Sequence, residues 1–426
     1  MIVYLYNNLC MISILSSLSK KLTGVYDHMK ITSVNVIECK PNVMGKVVCV
    51  RINTDTEIYG YGEVGLSYGV AHYAAVGIAR DYGQLIIGMD PLKPELIWET
   101  IFRSTFWGMG GGTVINAGMS AIDTALWDIT GKAYNMPVYQ LLGGKTTSKI
   151  RAYASQLQFG WGPEHLFLTD PDDYAKATED ALADGYDAIK VDPMGVTSDG
   201  KWAREAMNPN WKMRGKLSEK MLDTCYKRTE AMRKVGGKDL DIIIETHSYP
   251  DMNTGIQLGE RLEPLGIYYY EEPCNPLNVD NMLEIHKALP RIALASGERI
   301  YTRWGFRQFL EKHVLQVIQP DLTICGGISE TKKICDMANI YDAAVQLHIC
   351  GGPIATAASL QVEAVIPNFL IHEVHEGAIK KDMRDLGMYE DIKPVNGAYE
   401  VPDRPGIGQE LSQKALDEAA NVYTCQ

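Results

Sequence analysis

Six ionisable residues recur at almost constant intervals in the second half of this 426-residue chain. Glu245, Glu271, Glu298, Asp321, His348 and Glu373 are separated by 26, 27, 23, 27 and 25 residues. Each closes a short apolar run, as in DIIIE, IYYYE, IALASGE, LQVIQPD, AVQLH and FLIHE. Burying acids and histidines at one repeated phase is costly unless they have a task. The first three are carboxylates from successive runs, and hard oxygen ligands with open positions suit Mg2+, which keeps water or substrate oxygens in its octahedron. The chain lacks the clustered Cys and His ligands that would point to zinc. The competing reading of the three acids is ion pairing, with Arg299 and Arg303 as the available cations.

Asp321 and His348 close consecutive runs. A carboxylate against an imidazole fixes its tautomer and raises its basicity, which makes a general base. His247 follows Glu245 by two residues, and strand alternation would point both to one side. A histidine there can protonate a leaving hydroxyl, or else contact metal ligands or substrate. Glu373, between His372 and His375, can hydrogen-bond an oxyanion in its protonated form, donate through a substrate hydroxyl, or sit in a structural ion pair. Of the two flanking histidines, one is expected to face outward. Lys190 and Asp192, in KVDP, are candidates for substrate binding, the lysine by neutralising a substrate carboxylate or contacting the metal site. Residues 194–216, rich in Gly, Asn and Trp, read as a substrate lid or as a surface loop.

These residues need a frame that brings strand ends together. After Lys149, eight β-rich runs alternate with helical segments: 150–155, 187–192, 241–247, 267–272, 292–298, 315–321, 344–350 and 369–374. Repeated strand–helix units imply a parallel sheet, and eight imply closure into an α/β barrel whose strand C-termini converge on one face. An open doubly wound sheet is the alternative, but no Gly-rich phosphate turn follows any run. Ahead of the barrel, KVVCVRINTDTEIYGYGEVG reads as two antiparallel strands around a turn. AGMSAIDTALWDITGKAYN then reads as a long helix with small residues for close packing, ended by LLGG. Strands followed by helices make 29–148 an α+β capping domain, with the barrel over 149–380. Residues 381–426 are expected to return to the cap, with GIGQEL as a turn. Residues 1–28 read as an upstream extension or misassigned start rather than a targeting segment.

Composition excludes several classes. The net charge of −12 argues against nucleic-acid binding, which needs a basic face. No segment reads as membrane-spanning. Nine cysteines, an odd number with no CxxC, favour a reducing, cytoplasmic setting over a disulfide framework.

With these residues in view, the chain from about Met29 to Leu411 resembles the mandelate racemase-like branch of the enolase superfamily. SAIDTALWDITGK and PVYQLLGG resemble its capping-domain signature, and IYYYEEP, ASGERI, QPDLTICGGISE and LHICGGPIATAAS resemble its barrel motifs. The resemblance implies a modified TIM barrel, (β/α)7β, with an N-terminal α+β capping domain. It implies that Glu245, Glu271 and Glu298 hold Mg2+, that Asp321 and His348 form the base dyad, and that Glu373 stabilises the enolate. Members remove the proton α to a carboxylate while Mg2+ stabilises the enediolate. Cap loops, here 41–46 and 65–69, close over the substrate. An acid followed two residues later by His resembles the galactonate and gluconate dehydratases, where that His is the acid for loss of the 3-hydroxyl and the product is a 2-keto-3-deoxy sugar acid. The chain departs from the branch in carrying Glu245 where many members have Asp, and in lacking a lysine-x-lysine base motif and the mannonate dehydratase pattern. A hydro-lyase acting on a sugar acid is therefore expected, as a homo-oligomer, dimer or octamer. The alternatives are a racemase or epimerase with His247 as second base, to which Asp192 in place of Lys is adverse, and a catalytically silent binding protein.

Overall fold

The structure, a computed structural model, describes residues 29–42, 45–203 and 215–426. Expectations for 1–28, for positions 43–44 of the first cap loop and for 204–214 of the lid segment fall outside these residues.

Three strands open the described chain: β1 (Ile31–Glu38), β2 (Val48–Thr54) and β3 (Tyr59–Val64). They pair antiparallel in sequence order, so the two strands expected around a turn are β2 and β3. The 22-residue helix Thr113–Tyr134 lies across them, and its small residues are what let it approach. At Gly62 of β3 a side chain would collide with the Ala121 backbone of this helix. Asp128, fully buried on the same helix, accepts the amides of Tyr61 at 3.0 Å and Ile407 at 2.9 Å, tying helix, sheet and C-terminal segment together.

All eight barrel runs form strands in the expected places: β4 (Lys149–Ser155), β5 (Ala188–Val191), β6 (Asp241–Glu245), β7 (Tyr269–Glu271), β8 (Leu294–Ser296), β9 (Val317–Ile318), β10 (Ala344–Val345) and β11 (His372–His375). Among the described residues one α-helix of ten or more residues lies between each pair of successive strands, from Pro171–Ala183 to Pro353–Glu363. All neighbours pair parallel, in sequence order, and β11 returns beside β4. A bridge from Val345 to Phe369, just ahead of β11, joins the other edge. This is the (β/α)7β arrangement.

Strand alternation builds the barrel interior in layers. Tyr153, Ala188, Ile243, Tyr269, Ala295, Val317 and Ile371 form one buried cluster. On five of these strands the residue two positions further on is Ser155, Lys190, Glu245, Glu271 or Glu373. An apolar floor therefore supports a polar layer at the C-terminal ends.

The C-terminal segment divides its pairing rather than returning wholly to the cap. β12 (Ala398–Glu400) pairs antiparallel with β4 of the barrel, and β13 (Asn421–Cys425) pairs with β1 of the cap sheet. The GIGQEL turn uses Gly406 and Gly408 at φ 75° and 81°. The eight described cysteines are free. Among the described residues no helix is long and apolar enough to cross a membrane.

Candidate active site

Glu245 and Glu271 end paired strands and stand directly opposite one another in register, while Glu298 lies two residues beyond β8. Their carboxylate oxygens lie within 4.8 Å of one another. Glu245 and Glu271 are almost completely enclosed. Two like charges buried so closely cannot both ionise freely. Burial and the Glu245 charge push the Glu271 carboxyl well above the usual range, despite Lys190. Burial opposes ionisation of Glu245 as well, but His247 and Lys190 bring it below its ordinary value. Glu271 Oε2 is buried with no hydrogen-bond donor, and Glu245 Oε2 accepts no hydrogen bond, although the Lys190 ammonium lies 3.3 Å from it. Close acids with undonated oxygens fit a divalent cation, so the triad can bind a metal. Arg299 does pair with Glu298, as the ion-pair reading required, and also with Glu272. Arg303 turns to Glu330 instead, at 3.3 Å.

Two histidine–carboxylate pairs flank this row. His348 Nδ1 lies 2.8 Å from Asp321 Oδ2, and its Nε2 lies 2.9 Å from Glu298 Oε2. Burial would lower the His348 ring, but Glu298 and Asp321 hold it well above its ordinary value. Thr323 fixes Asp321 in turn, donating to Oδ1 from its amide at 2.7 Å and its hydroxyl at 2.5 Å. At the other end, His247 Nδ1 lies 2.8 Å from Asp192 Oδ2 and 3.9 Å from Glu245 Oε1.

Simple alternation is not what places His247. β6 stops at Glu245, and His247 and Ser248 adopt φ of 45° and 60°. Left-handed backbone at non-glycine residues is costly and gathers at functional sites. Here the turn is held by the His247 amide, which donates to Glu245 Oε1 at 2.7 Å.

Lys190 and Asp192, candidates for holding substrate, are completely buried and have protein partners. Lys190 Nζ sits 3.3 Å from Glu245, 2.9 Å from Glu271 and 2.7 Å from Glu373, so its charge is spent inside the polar layer, beside the metal-type ligands. Asp192 orients His247. Glu373 lies against Lys190 and so has the ion pair that was one of its three readings. Burial would raise its carboxyl, but Lys190, His348 and Ser155 bring it down to about 2. It accepts from Ser155 Oγ at 2.6 Å and from the Ile349 amide at 3.0 Å. His372 does face away from the barrel interior, its Nδ1 2.6 Å from Glu363. His375 accepts the Gly377 amide at 3.0 Å.

Several participants escaped sequence reasoning. Ser155 also ends a strand, and its phase could have found it. Glu272 is the second acid of the EEP run, and its pairing with Arg299 has no local signal. Trp202 packs edge-on to the His247 ring, 5.9 Å between centroids, from the described part of the lid segment.

Comparison with known proteins gives a consistent result. Residues 31–143 match the mandelate racemase / muconate lactonizing enzyme N-terminal domain, and residues 173–415 match the enolase C-terminal domain-like family. An arabinonate dehydratase of Saccharolobus solfataricus is 30% identical over 381 residues, covering 89% of this chain and 91% of its own length. A D-galactonate dehydratase of Variovorax paradoxus is 30% identical over 397 residues, covering 92% and 94%. Among solved structures, a member of the enolase superfamily from Salmonella Typhimurium superposes with a TM-score of 0.89 at 49% identity, covering 93% of this chain and 100% of that one.

Proposed function

The chain belongs to the mandelate racemase / muconate lactonizing enzyme family of the enolase superfamily, and from that premise we propose that it is a Mg2+-dependent hydro-lyase that converts a sugar acid to its 2-keto-3-deoxy product. The observation that carries this reading is the pair of histidines at opposite ends of one carboxylate row, each with a carboxylate partner at 2.8 Å. Dehydration needs both a base and an acid, and this arrangement supplies one of each. Curated relatives named as arabinonate and D-galactonate dehydratases support the substrate class.

Glu245, Glu271 and Glu298 would hold the Mg2+, which supplies positive charge beside the substrate carboxylate and so acidifies the adjacent C–H. His348 keeps Nδ1 on Asp321, and its Nε2, which lies 2.9 Å from Glu298 Oε2, would take the C2 proton once a cation engages Glu298 in its place. His247 keeps Nδ1 on Asp192, which leaves Nε2 to give a proton to the departing C3 hydroxyl. The hydroxyl leaves as water, and the enol that remains ketonises. Glu373, paired with Lys190, accepts the Ile349 amide next to His348 and so helps to keep that ring in place. Epimerisation is the second reading, because His247 could reprotonate C2 from the other face. Asp192 is adverse to it, since its carboxylate cannot serve as a lysine base would.

The test is a screen of the purified protein with Mg2+ against mono- and diacid sugars, with 2-keto-3-deoxy products trapped by semicarbazide. A trapped product supports dehydration and names the acid. A changed stereocentre with every hydroxyl retained would replace it with epimerisation.

A further inference from the structure

Glu63 is the penultimate residue of β3, and only 1% of its surface is exposed. No cation forms an ion pair with it among the described residues, and Asp321, of like sign, adds to the cost of charging it. Its two oxygens go instead to backbone on the barrel. Oε1 accepts the Gly352 amide at 2.5 Å, and Oε2 accepts the Ala355 amide at 3.0 Å. These amides begin the helix Pro353–Glu363, four residues beyond His348. Pro353 brings no N–H of its own to the contact. The approach depends on absent side chains: a Cβ at Gly351 would lie 2.7 Å from Glu63 Oε1, and one at Gly352 would lie 3.0 Å from Oε2.

Two residues further along, the same stretch of cap meets the other half of the dyad. The Gly65 amide donates to Thr323 O at 3.4 Å, and Thr323 is the residue that donates twice to Asp321. The end of β3 therefore touches the segment after His348 and the segment after Asp321 together. Ile349 is already held from the barrel side by Glu373, so the backbone carrying His348 is pinned once by the barrel and once by the cap.

We propose that Glu63 is a positioning residue for the His348–Asp321 pair, aligning the base only when the cap is seated on the barrel. The inference rests on the dehydratase reading in taking His348 as the base. A misplacement of about 1 Å in such a group costs on the order of 100-fold in rate, which sets the scale of the expected effect.

The experiment compares Glu63→Gln with Trp127→Phe. The latter loosens the cap–barrel seam elsewhere by removing the indole N–H donated to Ser329 Oγ at 2.8 Å. Glutamine keeps the shape of Glu63 but presents an NH2 to one of the two amides. Both variants are assayed with Mg2+ on the acid found in the screen, below the temperature at which circular dichroism shows either to unfold. Glu63→Gln should lose C2-proton exchange into D2O and kcat together, by about 10- to 100-fold, with KM nearly unchanged. Trp127→Phe should lower Tm and leave exchange intact. Equal exchange in Glu63→Gln and the parent, or an equal loss in Trp127→Phe, overturns the proposal. Should Glu63→Gln fail to fold, Gly352→Ala crowds the same contact from the other side and should show the same split. A parent that exchanges C2 of no sugar acid sinks the dehydratase reading instead. Amide deuterium exchange over residues 349–356 then still decides the pin: unchanged protection in Glu63→Gln overturns it.

Discussion

Replacing Lys190 by methionine tests the electrostatics of the whole polar layer. The ammonium is completely buried and faces three carboxylates, at 2.7, 2.9 and 3.3 Å. At an effective dielectric of about 20, a contact with an ionised partner, as at Glu245 and Glu373, carries about 5–6 kcal/mol of Coulomb attraction before desolvation is charged against it, whereas burial and Glu245 hold Glu271 toward its neutral form. Desolvation offsets most of this, and removing one member of a buried ion pair costs about 3–5 kcal/mol because the partner charge is left uncompensated. Methionine matches the lysine stem in volume, so the loss is electrostatic rather than a cavity. Lys190→Met should therefore lose about 3–5 kcal/mol in guanidinium unfolding followed by circular dichroism in EDTA. Adding Glu373→Gln removes one of the stranded charges and should return at least about 1 kcal/mol, a coupling that a double-mutant cycle measures. Mg2+ should restore more stability to Lys190→Met than to the parent, because the vacated layer is more negative. A loss under about 1 kcal/mol in EDTA, or no coupling to Glu373, would refute the claim that this lysine neutralises the layer.

Three other outcomes are expected. His348→Asn should abolish both turnover and C2-proton exchange, whereas His247→Asn should cost dehydration about 10²–10⁴-fold and leave exchange in place; exchange surviving in His348→Asn would unseat the base. Chelation should abolish activity and Mg2+ should restore it, while Glu271→Gln should raise the Mg2+ concentration needed for half-maximal rate, measured by titration. Burial pushes the Asp123 carboxyl from its ordinary 3.8 up to about 7, despite donation from the Ser329 amide and hydroxyl. Its folded value is raised, so the stability it permits is complete below pH 3.8 and is lost as pH climbs through about 7. At about 1.4 kcal/mol per pH unit, Asp123→Asn should gain up to about 4 kcal/mol relative to the parent between pH 4 and 8, read from unfolding curves across that range.

Much of the frame was legible because it is periodic. A strand and a helix take about 25 residues, so acids and histidines at that spacing announce one face of a barrel before any coordinate is known. All eight strands fall where the apolar runs are, and the floor beneath the site follows from period-two alternation. The identities of the triad and of the Asp321–His348 pair were visible for the same reason: each lies at a strand end, and strand ends converge.

What the sequence could not decide are pairings between groups that share no period. Lys190 read as a charge for substrate because nothing local says that Glu245, Glu271 and Glu373 surround it; three strands must close before its ammonium meets these carboxylates. Arg299 was one of two candidate cations, and only the turn after β8 directs it to Glu298 and Glu272 while Arg303 goes to Glu330. His247 was placed by an alternation that stops at Glu245, and a left-handed turn brings it to Asp192 instead. Glu63 lies 289 residues from the amide it holds at Gly352. Period and composition are properties of the chain and can be read along it. Which charges neutralise one another, and which carboxyl is stranded or ionised, depend on distance and burial, and these exist only once the cap is seated on the barrel.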